Sequence, residues 1–398
     1  MMAKLIEITG KALSGEWGSE DKEGTGIPVL RTTNFTNEGV VDYRDVVTRT
    51  IRKKNIEGKY LRYGDIIIEK SGGSDKQPVG RVIYFDGPEK TYLFNNFTGL
   101  LRVQKPTEWN PRYIFYALFS NYCNGGTRQF ENKTTGLHNL KTDDYVKGFE
   151  IVEYSLAEQK NICAQLDKVR DIIVTRQRQL QKLDELVKAR FVEMFGDMFL
   201  NTMSWPEVTL ETMADVVSGI TKGRKIKEQN MIEVPYMAVS NVKDGYIDWT
   251  TVKTILATEQ EINQYRLQPD DVLMTEGGDP DKLGRGAIIE EPLKNCIHQN
   301  HIFRVRLDEE KVLPGFFAEY LQHQKAKRYF LSCAKQTTGI ASINMKQLRA
   351  LPVLIPPLEL QEQFMTIVEQ VNKTKLTIQK SLDKMEVLQK ALMQKYFG

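Results

Sequence analysis

The sequence predicts an α+β chain of two tandem mixed domains, each followed by a long helix, with the helices pairing as an antiparallel coiled coil about a pseudo-two-fold axis. Three observations carry this. A plain phrase occurs twice, "NKTTGLHNLK" at 132–141 and "KQTTGIASIN" at 335–344. Further matches fall in the same order at a separation of 202 to 207 residues. Two segments of about 40 residues carry apolar side chains at alternating steps of four and three, the spacing of a coiled-coil seam.

The matches run the length of the chain. Asn34 answers Asn241, Asp65 answers Asp271, Gly80-Arg81 answers Gly284-Arg285, and Pro111 answers Pro314. Thr134-Thr135-Gly136 answers Thr337-Thr338-Gly339, and Glu158-Gln159 answers Glu362-Gln363. Lys188-Ala189 and Phe195-Gly196 answer Lys390-Ala391 and Phe397-Gly398. Colinear matches with so little drift mark a tandem duplication of a unit of about 200 residues, which builds a pair of modules and not a solenoid.

Within each copy, the first part reads as strands and turns. "GIPVLRT", "DIIIEK", "GRVIYF" and "GLLRV", then "VPYMAVS", "DVLMTE", "GAIIE" and "HIFRVRL", are β-branched runs bounded by Gly, Pro, Asn and Asp. One helix closes each domain, "PRYIFYALFSNYC" and "PGFFAEYLQHQKAKRYF", with Pro at the first helical position. The Thr-Thr-Gly phrase follows at once.

The long helices come next. Ser155 and Glu158 have capping-box spacing. Ile162, Leu166, Val169, Ile173, Leu180, Leu183, Val187 and Met194 form a seam interrupted by Arg176 and Arg190. In the second copy "PPLELQEQ" opens the helix, and Phe364, Ile367, Val371, Ile378, Met385, Leu388 and Leu392 keep the spacing. Neither seam has a partner in its own copy, so the helices are expected to pack on each other. The expected boundaries are 1–153 and 198–356 for the domains, with helical spacers at 154–197 and 357–398.

Composition restricts the function. At 41% hydrophobic and 27% charged, the 398 residues describe an ordinary folded chain, too long for one core. No apolar run reaches membrane-spanning or signal-peptide length, so a cytoplasmic location is expected. Cys123, Cys163, Cys296 and Cys333 are widely spaced without C-x-x-C, which argues against zinc and disulfides and for buried or half-buried free thiols. A net charge of +3 is modest, though basic clusters occur at Arg52–Arg62, Lys222–Lys227 and Lys325–Arg328. There is no P-loop, no dinucleotide fingerprint, no Asn-Pro-Pro-aromatic tetrapeptide and no H-E-x-x-H. "DPDK" beside "MTEGGD" could imitate a metal-dependent nuclease site, but the first copy, with "SGGSDK", lacks most of those carboxylates.

Two variable mixed domains, G-D-[IV]-[IL] strands, T-T-G-[IL] turns, and long helices opening with a "PPLELQEQF"-like phrase at Pro356–Phe364 resemble the specificity subunit of type I restriction-modification systems. The first copy departs from the pattern, with "EIVEYSLAEQ" in place of the double proline. The resemblance covers essentially the whole chain. It implies two target-recognition domains, each reading one half of a split asymmetric site on double-stranded DNA, with helices that fix the gap and dock two methyltransferase subunits. Motor-nuclease subunits would complete the restricting complex. It further implies that this chain is not an enzyme and binds no cofactor or metal, S-adenosylmethionine belonging to its partners. Helices of about 60 Å could hold domain centres about one DNA turn apart. A module serving a methyltransferase-only or other assembly, or a coiled-coil scaffold without DNA recognition, are the competing readings.

The residues expected to meet DNA follow from chemistry: Arg or Lys suits guanine, Asn or Gln suits adenine, and backbone amides and hydroxyls suit phosphate. The glycine-rich loops supply Lys70, Ser71, Gly72, Gly73, Lys76, Gln77 and Arg81, and Thr275, Glu276, Gly277, Gly278, Lys282 and Arg285. A β-turn with a salt-bridging Arg is the bland alternative. Asn95 and Asn96 answer Gln299 and Asn300. Lys133, Thr134, Thr135 and Gly136 answer Lys335, Thr337, Thr338 and Gly339; Lys222 and Arg224 add basic charge. An Arg in a dry seam would be costly, so Arg176 and Arg190, with Gln363, are expected at a partner interface.

Overall fold

The β-branched runs between turn signals become the central strands. The computed structural model describes residues 1–134, 137–224, 230–278, 283–337 and 340–398. In the first domain Ile66–Glu69 lies between Thr98–Leu101 and Val82–Tyr84 in an antiparallel sheet whose edge strand is Leu13–Ser14. In the second, Asp271–Thr275 lies between Ile302–Leu307 and Gly286–Ile289, with Ala214–Ser218 at the edge. These central strands are apolar without interruption because both faces are covered. Ile66 and Ile68 enter one core and Ile67 another; Val272 and Met274 divide from Leu273 in the same way.

A second sheet flanks each. Ser19–Glu20, Val47–Thr50, Ile27–Leu30 and Leu93–Phe94 are neighbours in the first domain, the last pair parallel. Lys253–Ala257, Ile232–Met237 and Ile297–His298 repeat this in the second, again with the last pair parallel. Short pairs that the sequence did not announce close each domain: Met2–Lys4 on Glu150–Val152, and Glu207–Thr209 on Pro352–Leu354.

The duplication holds at the level of single bonds. Asp65 accepts from Arg62 N (2.8 Å) and pairs with Arg102 Nε (2.7 Å); Asp271 accepts from Gln268 N (2.7 Å) and pairs with Arg306 Nε (2.8 Å). Asn34 accepts from Arg31 N and donates to Asp42 O, while Asn241 accepts from Ala238 N and donates to Asp248 O. One expected match is corrected: Gln159 corresponds to Gln361, not Gln363, because these two make the same buried bonds.

Pro111–Cys123 is the expected helix, capped by Asn110, whose side chain accepts from Arg112 N. The single helix expected over 314–330 is instead two, Pro314–Gln322 and Gln324–Cys333. His323 adopts an extended ψ of 153° and caps the second through Nδ1, which accepts from Lys325 N. Local apolar spacing cannot reveal such a break when a side chain replaces the lost helical bonds.

The long helices are Leu156–Phe195 and Leu358–Phe397, 40 residues each. The first opens on the expected box: Ser155 N donates to Glu158 Oε2 (2.9 Å) and Glu158 N to Ser155 Oγ (3.3 Å). Bonding to Ser155 holds the Glu158 carboxyl below its ordinary pKa. The chain divides into two compact units, Met1–Arg178 with Gln379–Gly398, and Gln179–Ile378. In the first unit Leu392, Met393, Tyr396 and Phe397 pack on the core containing Ile162, Cys163 and Leu166. In the second, Phe191 and Phe195 each stand 5.4 Å from the Phe364 ring, and Lys375 Nζ reaches Asp184 Oδ1 at 2.6 Å. Each unit thus joins the beginning of one helix to the end of the other, the antiparallel pairing expected.

Seam details differ. Arg190 is exposed and pairs with Glu193 (2.5 Å), while Phe191 takes the buried position. Leu388 faces solvent and Leu382 is buried. A helix of 3.6 residues per turn drifts from a 3.5-residue repeat, so a seam read by steps slips sideways. Cys123 is exposed, against the expectation of buried or half-buried thiols; Cys163 and Cys296 are buried, which pushes each thiol to about 12. Among the described residues no helix is long and apolar enough to cross a membrane.

Candidate nucleic-acid interface

Three segments far apart in sequence meet beyond the end of each central strand. In the first domain the chain leaves Glu69 through Lys70 into Ser71–Gly73, which pairs with Leu137–Leu140 of the hairpin begun by Glu131–Thr134. Lys70 N donates to Phe97 O (2.8 Å), and Lys70 O accepts from Leu140 N (2.9 Å). The glycine-rich loop, the Asn95-Asn96 turn and the hairpin strands Glu131–Thr134 and Leu137–Leu140 therefore form one surface. In the second domain Gly277–Gly278 pairs with Ile340–Ser342; Glu276 N donates to His301 O (3.0 Å) and Glu276 O accepts from Ile343 N (2.9 Å).

The glycines answer first to their own chain. A Cβ on Gly73 would lie 2.6 Å from Val79 N, and one on Gly277 would lie 2.9 Å from Ala341 O. Close strand packing requires them whatever else approaches.

Several candidates turn inward. Arg81 donates to Phe35 O (3.0 Å) and Thr32 O (2.9 Å) and stands 3.5 Å from the buried carboxylate of Glu69. Burial raises the Glu69 pKa against the pull of Arg81. Asn95 is 5% exposed, its carbonyl accepting from Thr98 Oγ1. Gln77 Nε2 donates to Tyr122 OH. Arg224 is committed to Glu261 at 2.7 and 2.6 Å and to Leu256 O. Arg285 and Thr275 flank the second loop through a backbone bond, Thr275 being buried. Apart from Gln77, which is exposed, these residues build the frame.

Others reach the surface. Ser71 is half-buried and Gly72 is exposed, as are Lys76, Asn96, Lys222 and Lys335; Gln299 and Asn300 are half-buried, like Gly278. Asn300 N donates to Ile220 O, which brings the Lys222 turn beside this pair. Lys70 is half-buried with Nζ 3.2 Å from Ser14 Oγ, and burial, then Lys59, lowers its pKa. Of Lys133, Thr134 and Thr337 the backbone alone is described; Thr135, Gly136, Lys282, Thr338 and Gly339 lie outside the described residues. On the long helices Gln363 is exposed, and Arg176 is half-buried in a groove with Asp167, Asp171 and Ile172.

Sequence reasoning missed four residues of this surface. Phe97, 54% exposed, and His301 occupy the same place after the amide pair. Their signal was an exposed-type aromatic directly following two matched amides. In the hairpin, buried His138 Nδ1 meets buried Glu131 Oε2 at 2.8 Å, and Glu131 Oε1 accepts from Val79 N. The second domain has Ala334 and Ala341 at these two positions.

The polar groups are donors and acceptors displayed at loop tips, and among the described residues no three His, Cys, Asp or Glu side chains gather as for a metal. The arrangement suits recognition of an extended polar surface.

Comparison with known proteins agrees with the duplication. The chain is 24% identical over 377 residues to the type I restriction enzyme EcoKI specificity subunit of Escherichia coli (strain K12), spanning 90% of this chain and 78% of the relative. It is 26% identical over 380 residues to the StySPI specificity subunit of Salmonella potsdam, with the same coverage. The fold is similar to that of the S subunit of a type I restriction-modification system from M. genitalium, with a TM-score of 0.60 at 16% identity over 100% of this chain and 96% of that one. Residues 2–185 and 203–387 each match the model of the type I restriction modification DNA specificity domain, and the chain belongs to that family.

Proposed function

We propose that the chain is the non-catalytic DNA-recognition subunit of a type I restriction-modification assembly. Each domain reads one half of a split asymmetric site in double-stranded DNA. The long helices set the gap and dock two methyltransferase subunits, which carry S-adenosylmethionine; motor-nuclease subunits join them for restriction. The observation that supports this reading best is a shared backbone frame carrying different side chains. Lys70 and Glu276 make the same two backbone bonds, donating to the carbonyls of Phe97 and His301 and accepting from Leu140 N and Ile343 N. A frame held constant while its displayed groups change is what two different half-sites require.

The test is to express the chain with its methyltransferase partner and map methylated adenines across a genome. One split motif is expected. Exchanging residues 1–153 for those of another family member should change one half-site alone. Inserting one helical turn in both long helices should widen the gap and leave both half-sites intact. No motif, or one without a gap, would overturn the proposal.

A further inference from the structure

The slot just beyond each central strand carries opposite chemistry in the two domains. Lys70 and Glu276 are equivalent by geometry: each donates its amide to the residue after the amide pair, at 2.8 and 3.0 Å, and each carbonyl accepts from the hairpin, at 2.9 Å in both. The backbone therefore presents the two side chains in the same way. One is a cation with donors only, and the other is a carboxylate with acceptors only.

Their neighbours complete the inversion. Lys70 runs its stem past Gly99, where a Cβ would lie 3.5 Å from Lys70 Cδ, at van der Waals contact. Its ammonium rests on the neutral hydroxyl of Ser14 at 3.2 Å, with no carboxylate at ion-pair distance among the described residues. The residue whose carbonyl takes the Lys70 amide is Phe97, and it is exposed. Lys70 is a partly desolvated cation with no ion pair among the described residues, Asp143 acting on it only from beyond ion-pair distance; an approaching acceptor surface would complete it. Glu276 instead has His301 Nδ1 2.5 Å from Oε2, which orients the carboxylate and leaves Oε1 as an acceptor.

Building on the DNA-reading function above, we propose that this slot sets a different base for each domain. Lys70, bonded through its amide to Phe97 O, reads a guanine through its N7 and O6 acceptors. Glu276, oriented by His301, reads a cytosine through its N4 amino donor. Those are the edges that complement an ammonium and a carboxylate in the major groove.

The test uses the full complex of this chain with its methyltransferase subunits, and reads the methylated motif. The wild type establishes that a split motif exists; its absence refutes the DNA-reading function itself, independently of this slot. With the motif in hand, Lys70→Ala should relax one guanine position in one half-site, lowering its preference by roughly 10- to 100-fold, with the other half-site unchanged. Glu276→Gln should relax one cytosine position in the other half-site alone. Lys70→Arg should keep the guanine, a control that separates lost reading from lost folding if Lys70→Ala methylates nothing. The paired exchange Lys70→Glu with Phe97→His should turn the preference at that position from guanine toward cytosine. An unaltered motif in Lys70→Ala and Glu276→Gln, or a complex that assembles with Lys70→Arg yet loses the guanine, overturns the assignment.

Discussion

The side chain of Gln159 reaches from the first turn of its long helix to Asn110, whose amide it accepts at 2.8 Å. Its Nε2 donates to Glu108 O (3.1 Å) and Tyr154 O (2.9 Å). Gln361 does the same in the second copy, accepting from Leu313 N at 2.9 Å and donating to Lys311 O (3.3 Å) and Pro356 O (2.8 Å). Both glutamines are at most 1% exposed. One buried amide thus joins the loop before the Pro111 or Pro314 helix to the root of the long helix.

Substituting Leu for Gln361 keeps the volume but strands a buried amide N–H and two carbonyls. We expect a loss of about 2–3 kcal/mol, read as a lowered unfolding midpoint in urea. Gln363→Leu, at an exposed position, should change stability little; equal effects would contradict the assignment of Gln361 as the counterpart of Gln159.

The first domain has a second tie to its helix that the other lacks. Arg112 Nε and Nη2 meet Asp167 Oδ1 at 2.9 and 2.7 Å, Tyr116 OH meets it at 2.6 Å, and the guanidinium lies 4.5 Å from the Tyr84 ring. Pro314 is followed by Gly315, where a Cβ would stand 2.3 Å from Met365 Cε. Arg112→Ala should cost about 2–3 kcal/mol, and adding Asp167→Leu should recover part of it, because an unpaired carboxylate no longer faces the rings. Denaturation of the two single variants and the double variant measures this; additive losses would show that the pair does not act as a unit.

Glu131 and His138 should behave as a couple. Either alanine substitution alone leaves a buried polar partner and should cost about 1–3 kcal/mol. The double alanine restores the pair that the second domain uses, Ala334 and Ala341, and should cost clearly less than the sum. A double-mutant cycle on unfolding free energy decides, and zero coupling would refute it.

His298 makes the second domain acid-sensitive. Its ring nitrogens each lie 3.2 Å from a carbonyl oxygen, those of Tyr265 and Val217, and burial lowers its pKa to about 4. The folded value lies below the unfolded one, so the unfolded chain binds the proton first. The contribution of the neutral ring is complete above about pH 6.5 and is lost as pH falls toward 4, by about 3 kcal/mol. Phe94 occupies the matching strand position in the first domain. His298→Phe should therefore flatten the dependence of stability on pH between 4 and 7; an unchanged slope would exclude His298 as its source.

Much of this protein was legible in its residues because the signals are local. A repeated Asn, Asp and Thr-Thr-Gly at near-constant separation establish two copies of one frame, and continuous β-branched runs mark the strands covered on both faces. Ser155 with Glu158 marks where a helix begins. The break at His323 and the shift of the seam from Arg190 to Phe191 were not legible, since they depend on a capping side chain and on accumulated helical drift. For the candidate interface the sequence named segments that the fold brings together, without deciding which side chains turn inward. Arg81 and Arg224 are of the same residue types as base readers, yet Phe35 and Glu261, 46 and 37 residues away, claim them, and Asn95 is buried. Lys70 and Glu276 share a slot only because hairpins some seventy residues downstream close on each. Duplication is written in spacing, which one dimension preserves; whether a polar group points to the frame or to a partner is a matter of burial, and neighbours brought together by folding decide it.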